Sequence, residues 1–253
     1  MDKIKLTALS RTTVERNHAL VTGDGFVNSV VPGWTGCEVN VVISKAMGAG
    51  FSQLITTMTS NGVLEGETGA SQLFFYVLEG ACTVITSSQK NRVEKGSYVY
   101  IPVHEAYKVF NSEEGTTLLS FHKEYEVLKG VSKPGIIINT QASIEKTIYC
   151  GDPNLLMQNL LPDENNLSFD MAVNIFTYNP GANLPFVETH IMEHGLLYLQ
   201  GQGIYRLDDK WYPVKKGDCI WMAPYCPQWF GALGVEPAVY IYYKNVNRLP
   251  EIM

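Results

Sequence analysis

The stretch "HIMEHGLLYLQGQGIY", residues 190–205, admits two incompatible folds. Its first five residues fit H-x-x-E-H, a metallopeptidase pattern in which His190 and His194 would bind zinc from one face of a helix. The surroundings oppose a helix. Pro185, Val187 and Thr189 precede the motif, Gly195 ends it at once, and the run to Tyr205 continues with strand-favouring residues. On a strand, alternate residues share a face, so Glu188 and His190 point the same way. His194 has the same parity, yet six residues of extended chain cover roughly 20 Å, whereas two ligands of one ion lie within about 4 Å of each other. A turn is therefore predicted through Ile191, Met192 and Glu193, with Glu193 facing solvent. The returning strand then starts at His194, opposite His190.

Working outward, the same region contains half of a repeat. Gly201, in "LYLQGQGIY", is followed sixteen residues later by Gly217, in "VKKGDCIWMAP"; Gly80, in "YVLEGACTV", is followed sixteen residues later by Gly96, in "VEKGSYVYIP". The offset is 121 in both cases, and each pair carries a flanking apolar strand and a Lys-Gly before an aromatic-rich strand. Short runs rich in Val, Ile, Tyr, Phe and Thr alternate with Gly, Pro, Asn and Asp clusters along most of the chain, an all-β pattern. Helical periodicity is confined to a turn in "TTVERNHAL" and another in "NTQASIEKT". Two tandem double-sheet barrels follow, because closure removes exposed strand edges. The expected division is a first barrel over residues 1–130, a linker over 131–145 and a second barrel over 146–253.

At 253 residues either barrel count leaves enough core to fold without cross-links. The five cysteines, Cys37, Cys82, Cys150, Cys219 and Cys226, are odd in number and lack C-x-x-C spacing, which points to a reducing compartment. Charges inside the first five residues and the want of a long apolar run predict a soluble, cytoplasmic protein with no membrane partner. A net charge of −6 with dispersed basic residues excludes a nucleic-acid footprint.

The spacing Gly181, Glu188, His190, His194, Gly201, followed by Gly217, Ala223 and Gln228, resembles the two cupin motifs. Glu188 stands at the first His of that pattern, His194 at its Glu and Gln228 at its last His, while Ala223 replaces the usual proline. This Glu, His, His, Gln set is similar to that of the (S)-ureidoglycine aminohydrolases, bicupins of purine and allantoin degradation. The likeness runs through "ETHIMEHG", "GQGIYRLDDKWYPVKKGD" and "YIYYKNVNR", and more loosely through "NIFTYNPGA" and "VNSVVPGW". It implies two double-stranded β-helix (cupin, jelly-roll-like) barrels, with Glu188, His190, His194 and Gln228 holding one metal. Shifting those positions by 121 gives Glu67, Gly69, Leu73 and Tyr107, so the first barrel is expected to be metal-free and to serve packing and oligomer contacts.

Ligand chemistry suits Mn(II), while zinc or iron(II) would also bind; the resemblance implies manganese. It further implies replacement of the α-amine of (S)-ureidoglycine by hydroxyl, giving (S)-ureidoglycolate and ammonia. "AVYIYYKN" puts Tyr240, Tyr242 and Lys244 on one strand face. By itself Lys244 reads as a strand-end lysine in solvent. The resemblance makes Glu188 and Lys244 catalytic and makes Glu188, Gln228, Tyr240 and Lys244 substrate-binding. Tyr205 is a further candidate for the same pocket, although an aromatic there also fits core filling. Rival readings are a metal-dependent cupin oxygenase or isomerase acting on another small acid, and a non-enzymatic bicupin that binds small anions. A homo-oligomer is expected, since Trp34 and Phe51 of the first barrel need covering.

Overall fold

The structure is a computed structural model that describes residues 10–110, 112–162 and 166–245. The outer ends of both expected segments, and the Val246–Arg248 part of the resemblance, lie outside the described residues. Among the described residues the regular elements are strands apart from three short 3-10 turns, and the strands form two curled barrels. The first is a ten-stranded sheet whose path includes Ser97–Ile101, Ser71–Glu79, Thr116–Glu124, Phe51–Glu67, Ala106–Phe110 and Ala81–Thr86. The second consists of an eight-stranded sheet around His194–Gln200 and Ala238–Lys244, faced by a three-stranded sheet of Lys210–Lys215, Gln202–Leu207 and Gln228–Leu233.

The repeat extends to strand register. Leu73 pairs with Ile101 in the first barrel, and 121 residues on His194 pairs with Met222 in the second. Tyr107 pairs with Thr86 as Gln228 pairs with Leu207. The left-handed turns recur as well: Gly80 and Gly201 have φ of 74° and 72°, Gly96 and Gly217 of 86° and 89°, and His104 and Tyr225 of 59° and 63°. Such conformations favour glycine, and here they are set by the turn rather than by the side chain.

The period of two along the strands has a use on both faces. In Ser97–Ile101, Val99 and Ile101 fill the first barrel while Tyr98 and Tyr100 enter a core shared by both barrels. In Ala238–Lys244, Tyr240 and Tyr242 fill the second barrel while Ile241 and Tyr243 enter the shared core. These runs read as continuously apolar because each face is buried against a different partner. A buried Lys123–Asp170 ion pair of 2.7 Å also joins the two halves.

The hydrogen bonding crosses the boundaries expected at residues 130 and 145. "TTVERNHAL" forms no helical turn; it is a hairpin of Thr13–Val14 and His18–Val21, and the latter pairs with Cys219–Met222 of the second barrel. Reciprocally, Ile137–Thr140 of the linker pairs with Ser97–Ile101 of the first. The two covered strands occupy equivalent places in the repeat. Each would otherwise present an open edge, and the added strand satisfies its backbone groups. The turn in "NTQASIEKT" is a single 3-10 turn over Gln141–Ser143.

Contacts within one chain also remove the ground on which an oligomer is expected. Phe51 is fully buried against Tyr243, and Trp34 is 9% exposed with its Nε1–H donating to Tyr107 Oη at 3.3 Å. Both are covered within one chain. The approach is closest at Gly195, where a Cβ would stand 2.4 Å from Phe51 Cζ and 2.7 Å from Gln53 Oε1. Gly195→Ala should therefore destabilise the fold by at least about 1 kcal/mol through overpacking, lowering Tm by a few degrees in a thermal melt. An unchanged Tm would mean that the two barrels separate freely at this seam.

Candidate active site

The predicted bend exists. Glu188 and Gln228 exchange two backbone hydrogen bonds of 2.8 Å, His190 O receives Tyr225 N–H at 2.7 Å, and the returning strand begins at His194. Antiparallel register then sets His194 opposite Lys244 on one side and opposite Met222 on the other. Glu188, His190, His194, Tyr205, Gln228, Tyr240 and Lys244 all line one cavity of about 110 Å³ inside the second barrel.

His190 Nε2 and His194 Nε2 stand 3.1 Å apart with their rings perpendicular, at 88°. Burial and the neighbouring His190 lower the pKa of His194 to about 3, so its ring is neutral. Its Nδ1–H donates to the carbonyl of Tyr243 at 3.2 Å, which leaves the Nε2 lone pair aimed into the cavity. Burial lowers the pKa of His190 as well. Two neutral imidazoles at this separation match two ligands of one ion, since bonds of about 2.1 Å at right angles separate donors by about 3 Å. Gln228 Nε2 lies 2.8 Å from His190 Nε2, and a half-turn of the amide would present Oε1 instead.

Glu188 lines the same cavity, with its Oε1 accepting from Tyr149 Oη at 3.2 Å. Burial raises its pKa, opposed by that hydrogen bond and by the charge of Lys244. Among the described residues no group of three His, Cys, Asp or Glu side chains is drawn close enough to hold an ion. His190, His194 and Gln228 are the side chains that could hold an ion together, with the carboxylate of Glu188 on the same cavity wall. Tyr205 is fully buried, with its hydroxyl 3.5 Å from Gln228 Oε1. Tyr240 reaches the cavity wall while its hydroxyl shares a hydrogen bond of 2.9 Å with Tyr178.

One expectation is corrected. Glu193 does not face solvent: it is 4% exposed, and its carboxylate turns to the first barrel, where Gly50 N–H donates to it at 3.1 and 3.0 Å. The bend that brings His194 opposite His190 folds this side chain under the strand.

Tyr149 escaped the sequence reading. It lies on a three-residue strand, 39 positions before Glu188, and no motif marks it. The nearest mark in the sequence is Gly151, two positions on, which takes a left-handed turn with φ of 76°.

In the first barrel the equivalent positions cannot gather donors. Leu73 is a buried apolar residue where the second barrel has His194, and Tyr107, in the place of Gln228, receives the Trp34 hydrogen bond.

Fold and cavity together define a cupin, and the Cupin domain family profile matches residues 174–243. The chain is 36% identical over 250 residues, 98% of its length and 79% of the relative's, to the probable (S)-ureidoglycine aminohydrolase of Oryza sativa subsp. japonica. It is 33% identical to the (S)-ureidoglycine aminohydrolase of Escherichia coli K12, with 93% of this chain and 91% of that protein covered. The crystal structure of E. coli protein Ylba superposes with a TM-score of 0.85 at 31% identity, covering 96% of this chain and 97% of that one. The chain belongs to the (S)-ureidoglycine aminohydrolase family.

Proposed function

We infer that this chain is a hydrolase that replaces the α-amine of (S)-ureidoglycine with hydroxyl, giving (S)-ureidoglycolate and ammonia in purine and allantoin degradation. The observation that carries the reading is the convergence of His190, His194, Gln228, Glu188 and Lys244 on one small cavity, in a chain related over nearly its whole length to such enzymes. Manganese(II) is the proposed cofactor, held by Glu188, His190, His194 and Gln228. A bound Mn(II) supplies Lewis-acid polarisation and a positive charge that favours an anionic substrate.

The chain's own groups do the rest. Lys244 Nζ binds the substrate carboxylate by a charge-assisted hydrogen bond, and Tyr240 and Tyr205 form the wall that orients the substrate. Buried walls of Phe176, Leu184 and Leu196 limit the water admitted. The amine leaves as ammonia from a carbon bearing two nitrogens, and water adds to one face of the imine-like carbon. Glu188 takes the ureido N–H proton as the imine-like carbon forms and gives it to the departing amine, then takes the proton that the adding water loses and returns it to the imine nitrogen, with Tyr149 holding Oε1 between transfers.

The test generates ureidoglycine enzymatically from allantoate, adds this protein with Mn(II), and follows ammonia and product chirality. Ammonia with (S)-ureidoglycolate is expected. Oxygen consumption without ammonia would instead indicate an oxygenase, and binding without turnover a sensing protein.

A cytoplasmic location is part of this reading, supported by five free thiols. No helix among the described residues is long and apolar enough to cross a membrane. A homo-oligomer is also proposed. Its support is now the exposed Val27, Val30 and Val41 around the short edge strand Asn28–Ser29 rather than Trp34 and Phe51. Light scattering should give a mass above the 28.2 kDa of one chain, and a monomer at micromolar concentration would contradict it.

A further inference from the structure

The first barrel lacks the donors of the second, yet the start of its strand Phe51–Glu67 meets the strand that begins at His194 at consecutive points. Gly50 N–H donates to both carboxylate oxygens of Glu193. Phe51 stacks on Tyr243 with ring centroids 4.1 Å apart, and the carbonyl of Tyr243 is the group that receives His194 Nδ1–H. Gln53 Nε2 donates to the carbonyl of Leu196 at 3.2 Å. Gly195 leaves the room in which Phe51 and Gln53 sit.

Glu193 stands in the turn between His190 and His194, so whatever fixes it fixes the separation of those two imidazoles. A buried carboxylate is costly without hydrogen bonds. Its partners are Gly50 N and the more distant Trp221 Nε1 at 3.5 Å, while its own backbone N–H is taken by Asn245 Oδ1 at 2.9 Å. A surface turn would need none of this.

We propose that Glu193 is a positioning residue for the ion site and that Gly50 is its anchor, so that the metal-free barrel sets the geometry of the site in the other barrel. The inference rests on the reading of His190, His194, Gln228 and Glu188 as that site. Neither Gly50 nor Glu193 touches substrate in it. Their effect passes through the placing of His190 and His194.

The test compares the full-length wild type with Gly50→Ala, Glu193→Ala, Glu193→Gln and a control, Val93→Ala. The alanine at position 50 needs no left-handed backbone, but its Cβ would stand 2.7 Å from Glu193 Oε1 and displace the carboxylate. Gln at 193 keeps an oxygen that accepts from Gly50 N–H. Val93 is buried in the first barrel's own core, away from the seam, so its truncation lowers Tm without reaching Glu193. Mn(II) affinity is read by chelator competition, site symmetry by Mn(II) paramagnetic resonance, and folding by Tm.

Gly50→Ala and Glu193→Ala should bind Mn(II) about 10- to 100-fold more weakly with an altered resonance line shape. Glu193→Gln should recover most of the affinity, and Val93→Ala should bind as wild type despite a lower Tm. Wild-type affinity in Gly50→Ala, or an equal loss in Val93→Ala, overturns the inference while leaving the ion site intact. A wild type that binds no Mn(II) overturns the site reading and the inference together. Should Glu193→Ala fail to fold, Gly50→Ala and Glu193→Gln decide the matter by the same readouts.

Discussion

Replacing His190 and His194 together by alanine is expected to yield a folded chain that carries no Mn(II) and releases ammonia from ureidoglycine at least about 10³-fold more slowly. The two Nε2 atoms, 3.1 Å apart, are the pair whose spacing matches adjacent ligands of one ion. Gln228 and Glu188 alone offer an amide and a carboxylate at the cavity wall, too few donors to keep the ion against water. Several kcal/mol of charge stabilisation go with it, which sets the size of the rate loss. Elemental analysis should find one Mn per wild-type chain, because Leu73 and Tyr107 occupy the equivalent places in the first barrel. Two metals per chain, or full metal content in the double variant, would sink the assignment. Melting curves of the double variant separate loss of metal from loss of fold.

Lys244→Met should cost less in absolute terms but discriminate more sharply between readings. Lys244 ends its strand opposite His194, lines the cavity, and its charge is felt by Glu188, His190 and His194. Met keeps most of the apolar stem and removes the charge, so fold and metal content should persist. A charge-assisted hydrogen bond to the substrate carboxylate is worth about 1.5 to 3 kcal/mol, so kcat/KM should fall about tenfold to a hundredfold. Steady-state ammonia release at matched manganese content measures this. Equal kcat/KM in variant and wild type would place the substrate carboxylate elsewhere and remove the reason for assigning Tyr240 to the same grip.

Much of this architecture is legible along the chain. The spacing of Gly80, Gly96, Gly201 and Gly217 marks the duplication because all four sit in left-handed turns whose backbone the fold repeats. The strand character of residues 194–205 follows from Gly195 and from residues suited to a pleated surface, and it forces the bend that sets His190 against His194. Parity along Ala238–Lys244 puts Tyr240, Tyr242 and Lys244 on one face, and all three line the cavity.

Pairings between distant segments left no such trace. A hairpin at residues 13–21 closes the edge of a strand 200 residues away, and nothing in its local pattern names that partner. Tyr149 reaches Glu188 only through sheet pairing, and Trp34 and Phe51 find their covers inside the same chain. Glu193 shows the limit most clearly. Charge and a turn position both predict exposure, but two barrels packed against each other bury the turn and supply Gly50 N–H to its carboxylate. Turn conformation and strand face are decided over a few residues by sterics and alternation, so they can be read in order along the sequence. Which buried polar group meets which partner depends on how two whole sheets dock, where desolvation must be matched by hydrogen bonds from residues 143 positions away.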